Sequence, residues 1–433
     1  MFSQLFGKYL TEKGVITEAE YSELIKKQLD ARVKLGTIAV ADGLLTEEQC
    51  DTLNRLQLQF DKRFGDLAVE NKMLTEDQVS LLLKKQGNPY MKFLEVILES
   101  GKVSVSKVDE YLNDFKAEKG LADAEMAALK NDDIEALLPT YVFSSKKYVA
   151  DITGIVVRNI NRFVSRDFYF GRIARAEEVA YKYLSVQKTS GDDTVYIGIA
   201  QTDDGNGFAE VASNFSGAAV DNGSFDAFDA VCEFINCNSG LFASEYSKKG
   251  ANLDMDPSLA YENDKITGNL YTVPIYVNNS EIKLVISVND EISLGNAPID
   301  LNAGGKAEVA EAVAGGNTIL IVDDSRTSRK ILRGLLEANG YTIVGEAQDG
   351  EEGVAMYESL KPQLVTMDIT MPKLDGIGAL KAIMAKDSAA KVVMITAAGQ
   401  QSKVVEALKS GAKQFVTKPF DKDEVLKSIK ESL

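Results

Sequence analysis

Three rhythms of apolar and polar positions follow one another along the chain. Up to about residue 118 the apolar positions recur at helical spacing, in blocks that repeat every 29 residues. Gly7, Gly36 and Gly65 mark the period, with Leu94 in the fourth place. Phe6, Leu35, Phe64 and Phe93 precede them, and Leu10, Ala39, Ala68 and Ile97 follow three positions later. Gly14, Gly43, Lys72 and Gly101 come next, then Ile16, Leu45, Leu74 and Val103. Thr17-Glu18, Thr46-Glu47-Glu48 and Thr75-Glu76-Asp77 read as helix N-caps with acids in the positive first turn. Gln28, Gln57 and Gln86 close three of the blocks. The pattern predicts four helix-turn-helix units over residues 1–118, each with a short helix, a glycine turn and a longer helix. They stack because one unit cannot bury its apolar face alone.

Residues 119–140 are rich in alanine and acids and predict a helical connector. The next stretch, 141–295, mixes periods and predicts an α/β (α+β) domain. Helical spacing appears over 148–157 and again over 227–240. Strands are expected at 194–200, 208–212, 270–277 and 282–288, with Asn278-Asn279-Ser280-Glu281 as a hairpin loop. Small residues then dominate 296–316, where Ala303-Gly304-Gly305-Lys306 and Ala314-Gly315-Gly316-Asn317 bracket a flexible linker. As a coil it would span roughly 25 Å root-mean-square, which permits docking in cis at an effective concentration of order mM.

From 317 to 433 the rhythm changes to unbroken apolar runs alternating with helical patterns. Ile319-Leu320-Ile321-Val322 ends in Asp323-Asp324-Ser325, Leu364-Val365-Thr366-Met367 in Asp368, Val392-Val393-Met394-Ile395 in Thr396, and Gln414-Phe415-Val416 in Thr417-Lys418. Runs without polar alternation suit strands covered on both faces, so the expected fold is a doubly wound, five-stranded parallel sheet. Ligands bind such sheets at the carboxyl ends of the strands. Asp323, Asp324 and Asp368 are therefore candidate ligands for Mg²⁺, a hard cation that takes oxygen donors. Lys418 and Thr396 would steady the oxygens of a phosphoryl group, and Asp368 would be the carboxylate that accepts it.

This last segment resembles the CheY-like receiver domain of bacterial response regulators. The resemblance is carried by Asp-Asp-Ser after the first strand, Met367-Asp368-Ile369-Thr370-Met371-Pro372 with Asp375-Gly376, Thr396-Ala397-Ala398-Gly399, and Lys418-Pro419-Phe420. It implies phosphorylation of Asp368 by a partner sensor histidine kinase, with Thr396 and Phe415 at the switch positions. Within 227–240, Glu233 and Asn236 project from one helical face, while Phe228, Val231, Cys232 and Ile235 form another, apolar one. Glu-x-x-Asn followed by Gly240 resembles the CheX and CheC family of receiver phosphatases, CheX more closely because one such motif is present. That resemblance implies Glu233 pairing with the receiver lysine, Asn236 orienting the attacking water, and a homodimer through this domain. The amino-terminal blocks are similar to the MshE-N-type domain of type II secretion ATPases, some of which bind cyclic di-GMP. Carried over, the dinucleotide would meet Lys34, Gly36, Gly43, Arg63 and Gly65. The arginine expected two places before the first glycine stands at Arg63 alone; Leu5, Lys34 and Lys92 take the other places.

Composition narrows the classes. Across 433 residues the net charge is -17, a field that repels phosphate backbones and argues against nucleic acid as a partner. Histidine is absent, which removes histidine kinases, histidine phosphotransfer modules and histidine metal sites. Cys50, Cys232 and Cys237 form neither a disulfide framework nor a zinc pattern. No apolar run is long enough to span a membrane, and no leader pattern is seen, so a cytoplasmic protein is expected. The reading is a signalling protein that accepts phosphate on Asp368 and removes it, either from itself or from separate receiver proteins. The alternative is non-enzymatic: an adaptor in which the middle domain only dimerises and phosphorylation switches binding.

Overall fold

The computed structural model describes residues 1–30, 33–60, 63–301, 317–397 and 401–433, with side chains left undescribed at 29, 30, 58–60, 84, 401 and 402. Most of the expected linker, together with Ala398 and Gly399, lies outside these residues. The chain divides into two compact units, Met1–Thr140 and Tyr141–Leu433.

The first unit is helical: α1 (Phe2–Glu12), α2 (Glu18–Asp30), α3 (Leu35–Ala41), α4 (Glu47–Phe60), α5 (Phe64–Glu70), α6 (Glu76–Lys85), α7 (Pro89–Glu99), α8 (Val105–Glu118), α9 (Asp123–Lys130) and α10 (Ile134–Tyr141). Each period is one pair of helices, and in the first three the second helix starts on a reciprocal cap. Thr17 and Glu20, Thr46 and Gln49, and Thr75 and Gln78 exchange side-chain and backbone hydrogen bonds in this way, satisfying amides that open a helix without partners. Phe2, Phe6, Tyr9, Phe93 and Phe115 form a buried aromatic cluster.

The first glycine of each period is not in a turn. Gly7, Gly36 and Gly65 lie inside α1, α3 and α5, and a Cβ at Gly7 would fall 2.2 Å from the Tyr21 ring. These glycines let the short helix approach the longer one closely. The turn belongs to Gly14, Gly43, Lys72 and Gly101, all at positive φ. Lys72 adopts φ +56 as an exposed side chain, a conformation that penalises any residue with a Cβ. Lys72→Gly is therefore expected to stabilise the chain by about 0.5–1 kcal/mol, strain relief outweighing the added freedom of the unfolded glycine. The check is the denaturant midpoint of the helical signal; a lower midpoint would contradict it.

The second unit opens with α11 (Val149–Asn159) and a π-helical turn, Ile160–Val164. An antiparallel sheet follows: β1 (Phe168–Phe170), β2 (Ala174–Gly191), β3 (Val195–Gln201), β4 (Leu253–Met255), β5 (Leu259–Val277), β6 (Ser280–Val288) and β7 (Ile292–Ser293). Its order is β1-β5-β6-β3-β2-β4, and the long β2 and β5 also pair with each other. Asn278 and Asn279, both at positive φ, make the two-residue turn between β5 and β6. Two helices, α12 (Gly207–Ser216) and α13 (Phe225–Ser247), come between β3 and β4.

The strand expected at 208–212 is instead part of α12. Phe208, Val211 and Ala212 are buried at i, i+3 and i+4, and Phe208 packs edge-on against Phe228 of α13 at 5.2 Å. Five residues are too few for periodicity to separate the two readings.

The last 117 residues form a parallel sheet: β8 (Thr318–Val322), β9 (Thr342–Ala347), β10 (Leu364–Asp368), β11 (Val392–Ala397) and β12 (Gln414–Lys418), in the order β12-β11-β10-β8-β9. Alternate residues explain the unbroken apolar runs. Leu320, Val322, Val365, Met367, Val392 and Met394 face one core with α15 (Gly350–Leu360), α16 (Gly376–Lys386) and α17 (Gln401–Lys409). Ile319, Ile321, Leu364, Val393, Ile395 and Val416 face the other with α14 (Arg326–Glu337) and α18 (Lys422–Ser432).

Candidate phosphoacceptor site and the helix docked on it

Parallel pairing of β8, β10, β11 and β12 brings their carboxyl ends side by side. Asp323 and Asp368 are buried there, as are Thr396 and Lys418. The Lys418 ammonium lies 2.9 Å from Asp323 Oδ2 and 3.1 Å from Asp368 Oδ1. Asp368 Oδ2 accepts from the Thr370 amide at 2.8 Å, and Asp323 Oδ1 accepts from the Ser325 amide at 3.0 Å. Thr396 Oγ1 donates to the Ala397 carbonyl at 3.0 Å. Phe415, on β12, is partly exposed. The Lys418–Pro419 peptide is cis.

A third carboxylate reaches Lys418 from the preceding sheet domain. Glu233 of α13 places Oε1 3.0 Å from the ammonium and accepts from Ser328 Oγ at 2.9 Å. It belongs to a row along one face of α13 that meets the start of α14. Asp226 pairs with Lys330 at 2.6 Å and stands 3.7 Å from Arg326. Asp229 accepts from the Thr327 amide at 2.7 Å, the Arg326 amide at 3.2 Å and Ser325 Oγ at 3.2 Å. A helix N-terminus presents unpartnered amides and partial positive charge, so a carboxylate there answers both. The face that reads as solvated in sequence is thus packed on the parallel-sheet domain.

Asn236, one turn beyond Glu233, accepts at Oδ1 from Gln187 Nε2 at 3.1 Å. Asn236, Glu233, Asp229, Asp324, Asp368 and Lys418 all line one cavity of about 380 Å³. The strand-end carboxylate thus stands in the wall of a chamber shared with α13.

Burial dominates the electrostatics. It pushes the Asp323 and Asp368 carboxyls above their usual range, against the pull of Lys418. Asp324 is pushed up to about 7, by burial first and then by repulsion from Asp368. Burial alone would lower Lys418, but Asp323, Asp368 and Glu233 outweigh it and hold the ammonium well above its ordinary value. The Asp229 carboxyl is raised by burial, partly offset by the bonds from Thr327 and Arg326.

Among the described residues no three acidic side chains stand as a ready-made metal cage; Lys418 sits between Asp323 and Asp368. The donor set nevertheless fits a hard divalent cation. It is all oxygen, Asp323, Asp324 and Asp368 gather at adjoining strand ends, and three carboxylates, Asp323, Asp368 and Glu233, surround the one ammonium of Lys418. Asp323, Asp324 and Asp368 are the residues that would hold Mg²⁺.

The residues carried over for a dinucleotide belong to the first unit and are differently employed. Lys34 is paired with Glu99 at 2.5 Å and Glu95 at 3.3 Å. Gly36 and Gly65 are packed within helices, Gly43 makes a turn, and Arg63 is exposed. Gln28 Nε2 donates to Ser3 Oγ and the Pro89 carbonyl, and Gln86 Nε2 to the Val33 carbonyl, so two closing glutamines tie helix pairs together.

Asp226, Asp229, Gln187 and Ser328 were not apparent as site residues from the sequence. One signal was present: acids at 226, 229 and 233 fall on one stripe of an otherwise apolar helix.

A doubly wound parallel sheet with an acid pair, a third aspartate, a threonine and a lysine at its strand ends defines a receiver, the acceptor module of two-component signalling. The chain belongs to the response regulator receiver family, whose model matches residues 319–430. That segment is 46% identical over 114 residues to the chemotaxis protein CheY of Listeria monocytogenes, covering 96% of that protein and 26% of this chain. With CheY of Bacillus subtilis the identity is 48% over 115 residues, covering 96% of the relative and 27% of this chain. Among solved structures, the CheX-CheY-BeF3-Mg complex from Borrelia burgdorferi matches at 43% identity, covering 26% of this chain and 86% of the matched chain, with a TM-score of 0.26.

Proposed function

We propose that residues 141–295 are a CheX-like phosphatase domain that removes phosphate from Asp368 of the receiver in the same chain. One observation carries the reading: Glu233 enters the receiver to meet Lys418 while Asn236, on the same face of α13, lines the same cavity as Asp368. A partner histidine kinase supplies the phosphate, since the chain has no histidine.

Asp368 is the nucleophile that accepts the phosphoryl group, and Lys418 and Thr396 lie at neighbouring strand ends to steady its oxygens. Mg²⁺, when bound, supplies further charge neutralisation to those oxygens. Hydrolysis then needs a water held in line with the breaking bond. Glu233 holds Lys418, and Asn236 orients the water through its amide, which both donates and accepts. The water oxygen bonds to phosphorus, the bond to the Asp368 oxygen breaks with its electron pair returning to the carboxylate, and the proton leaves on inorganic phosphate. Orientation of the water against the strand end, rather than a perturbed base, provides the rate.

Asn236→Ala is expected to lengthen the lifetime of the phosphoryl group on the full chain at least about tenfold, with the thermal midpoint little changed. Decay is followed after labelling with acetyl phosphate and removal of the donor. An unchanged lifetime would favour the alternative, a binding switch in which the docked domain performs no chemistry.

A further inference from the structure

Gln187, in β2, lines the same chamber as Asn236 and Asp368 and is 3% exposed. Its amide nitrogen donates to Asn236 Oδ1 at 3.1 Å and to the Asp256 carbonyl at 2.8 Å, so both of its N–H bonds are used. The backbone around it is fixed by antiparallel pairing with β3, where Gln187 stands opposite Ile197. Its own Oε1 is buried and has no partner.

An asparagine amide has two flip states of nearly the same shape, and only its neighbours choose between them. The N–H of Gln187 against Asn236 Oδ1 selects one. In that state Oδ1 keeps a second lone pair for a water proton. A nucleophilic water turns a lone pair toward phosphorus, so both of its protons need acceptors. We infer that Gln187 is a positioning residue for the hydrolysis, fixing the amide of Asn236 that orients the attacking water; the inference rests on the phosphatase reading above.

The test is a double-mutant cycle on the full chain, reading decay of the phosphoryl group after acetyl phosphate labelling. Gln187→Met keeps the volume and removes the donor to Asn236; Gln187→Glu keeps the shape and an acceptor oxygen but also removes that donor. Each is expected to slow decay roughly tenfold. In the Asn236→Ala background neither should slow it further, because Gln187 acts through Asn236. Circular dichroism and the thermal midpoint identify a variant that has lost its fold, and the other variant then decides. If Asn236→Ala slows decay while both Gln187 variants decay normally, the inference falls and the phosphatase reading stands. Equal slowing in both backgrounds marks a general packing effect and also overturns it. If Asn236→Ala changes nothing, both fall together.

Discussion

Asp368→Asn is expected to reduce Mg²⁺-dependent labelling of the full chain by acetyl phosphate or beryllofluoride to background. A carboxamide offers no anionic oxygen to attack phosphorus, so no acyl phosphate forms. Other carboxylates cannot take over. Asp323 is fully buried beneath Lys418. Asp349 caps α15 and is paired with Lys373 at 2.6 Å, and Asp375 caps α16. Among the described residues, Asp368 alone ends a central strand, faces the chamber and touches Lys418. The fold should survive, because Asp323 and Glu233 still surround the buried ammonium and the new side chain is isosteric. Asp349→Asn is the control, with labelling retained. Undiminished labelling of Asp368→Asn would overturn the assignment of the phosphoacceptor.

That expectation could be written from sequence because a receiver displays its chemistry locally. Each reactive side chain follows an apolar strand within a residue or two, and burial of both sheet faces makes those strands unbroken apolar runs. Ile319 and Ile321 face one core while Leu320 and Val322 face the other, so no polar alternation interrupts the signal. The amino-terminal period was equally plain, because one packing solution repeats. What the glycines do was not plain. Gly7 and Gly65 serve helix contact and Gly14 and Gly43 serve the turn, and both uses select the same residue for different physical reasons.

The middle domain was harder to read. β2 runs Ala174–Gly191 and buries few residues in its first half, so its sequence has neither strict alternation nor an apolar run. Residues 208–212 of α12 are a window too short to show its helical period. Docking of α13 was the least legible feature. Asp229 meets Thr327 across 98 positions and Glu233 meets Ser328 across 95; no local pattern encodes such a pairing. A row of acids on one helix face is ordinarily solvated, and what it faces is decided by tertiary structure.

Asp229→Lys is expected to release α13 from the receiver, with a far larger effect than Asp226→Lys. Asp226 is a partly exposed partner of Lys330 at the rim of the contact, and pairs of that kind contribute about 0–1 kcal/mol. Asp229 accepts two backbone amides and a hydroxyl at the positive end of α14. Charge-assisted bonds to such groups are each worth about 1.5–3 kcal/mol. The substitution removes them and sets a cation against Arg326 and the helix N-terminus, which is unfavourable by about a further 0.3–1 kcal/mol. The gains from those bonds are offset in part by the cost of burying the carboxylate, so the net loss is about 3–5 kcal/mol, which shifts the docking equilibrium by roughly two to four powers of ten toward the undocked form. The tether keeps the domains near each other, so the readout must be local. Hydrogen exchange at the Arg326 and Thr327 amides should quicken in Asp229→Lys, and the phosphoryl lifetime on Asp368 should lengthen. Asp226→Lys should leave exchange close to the parent chain. Unchanged exchange at Arg326 and Thr327 in Asp229→Lys would overturn the docked arrangement itself. Faster exchange with an unaltered lifetime would keep the docking and remove its part in hydrolysis.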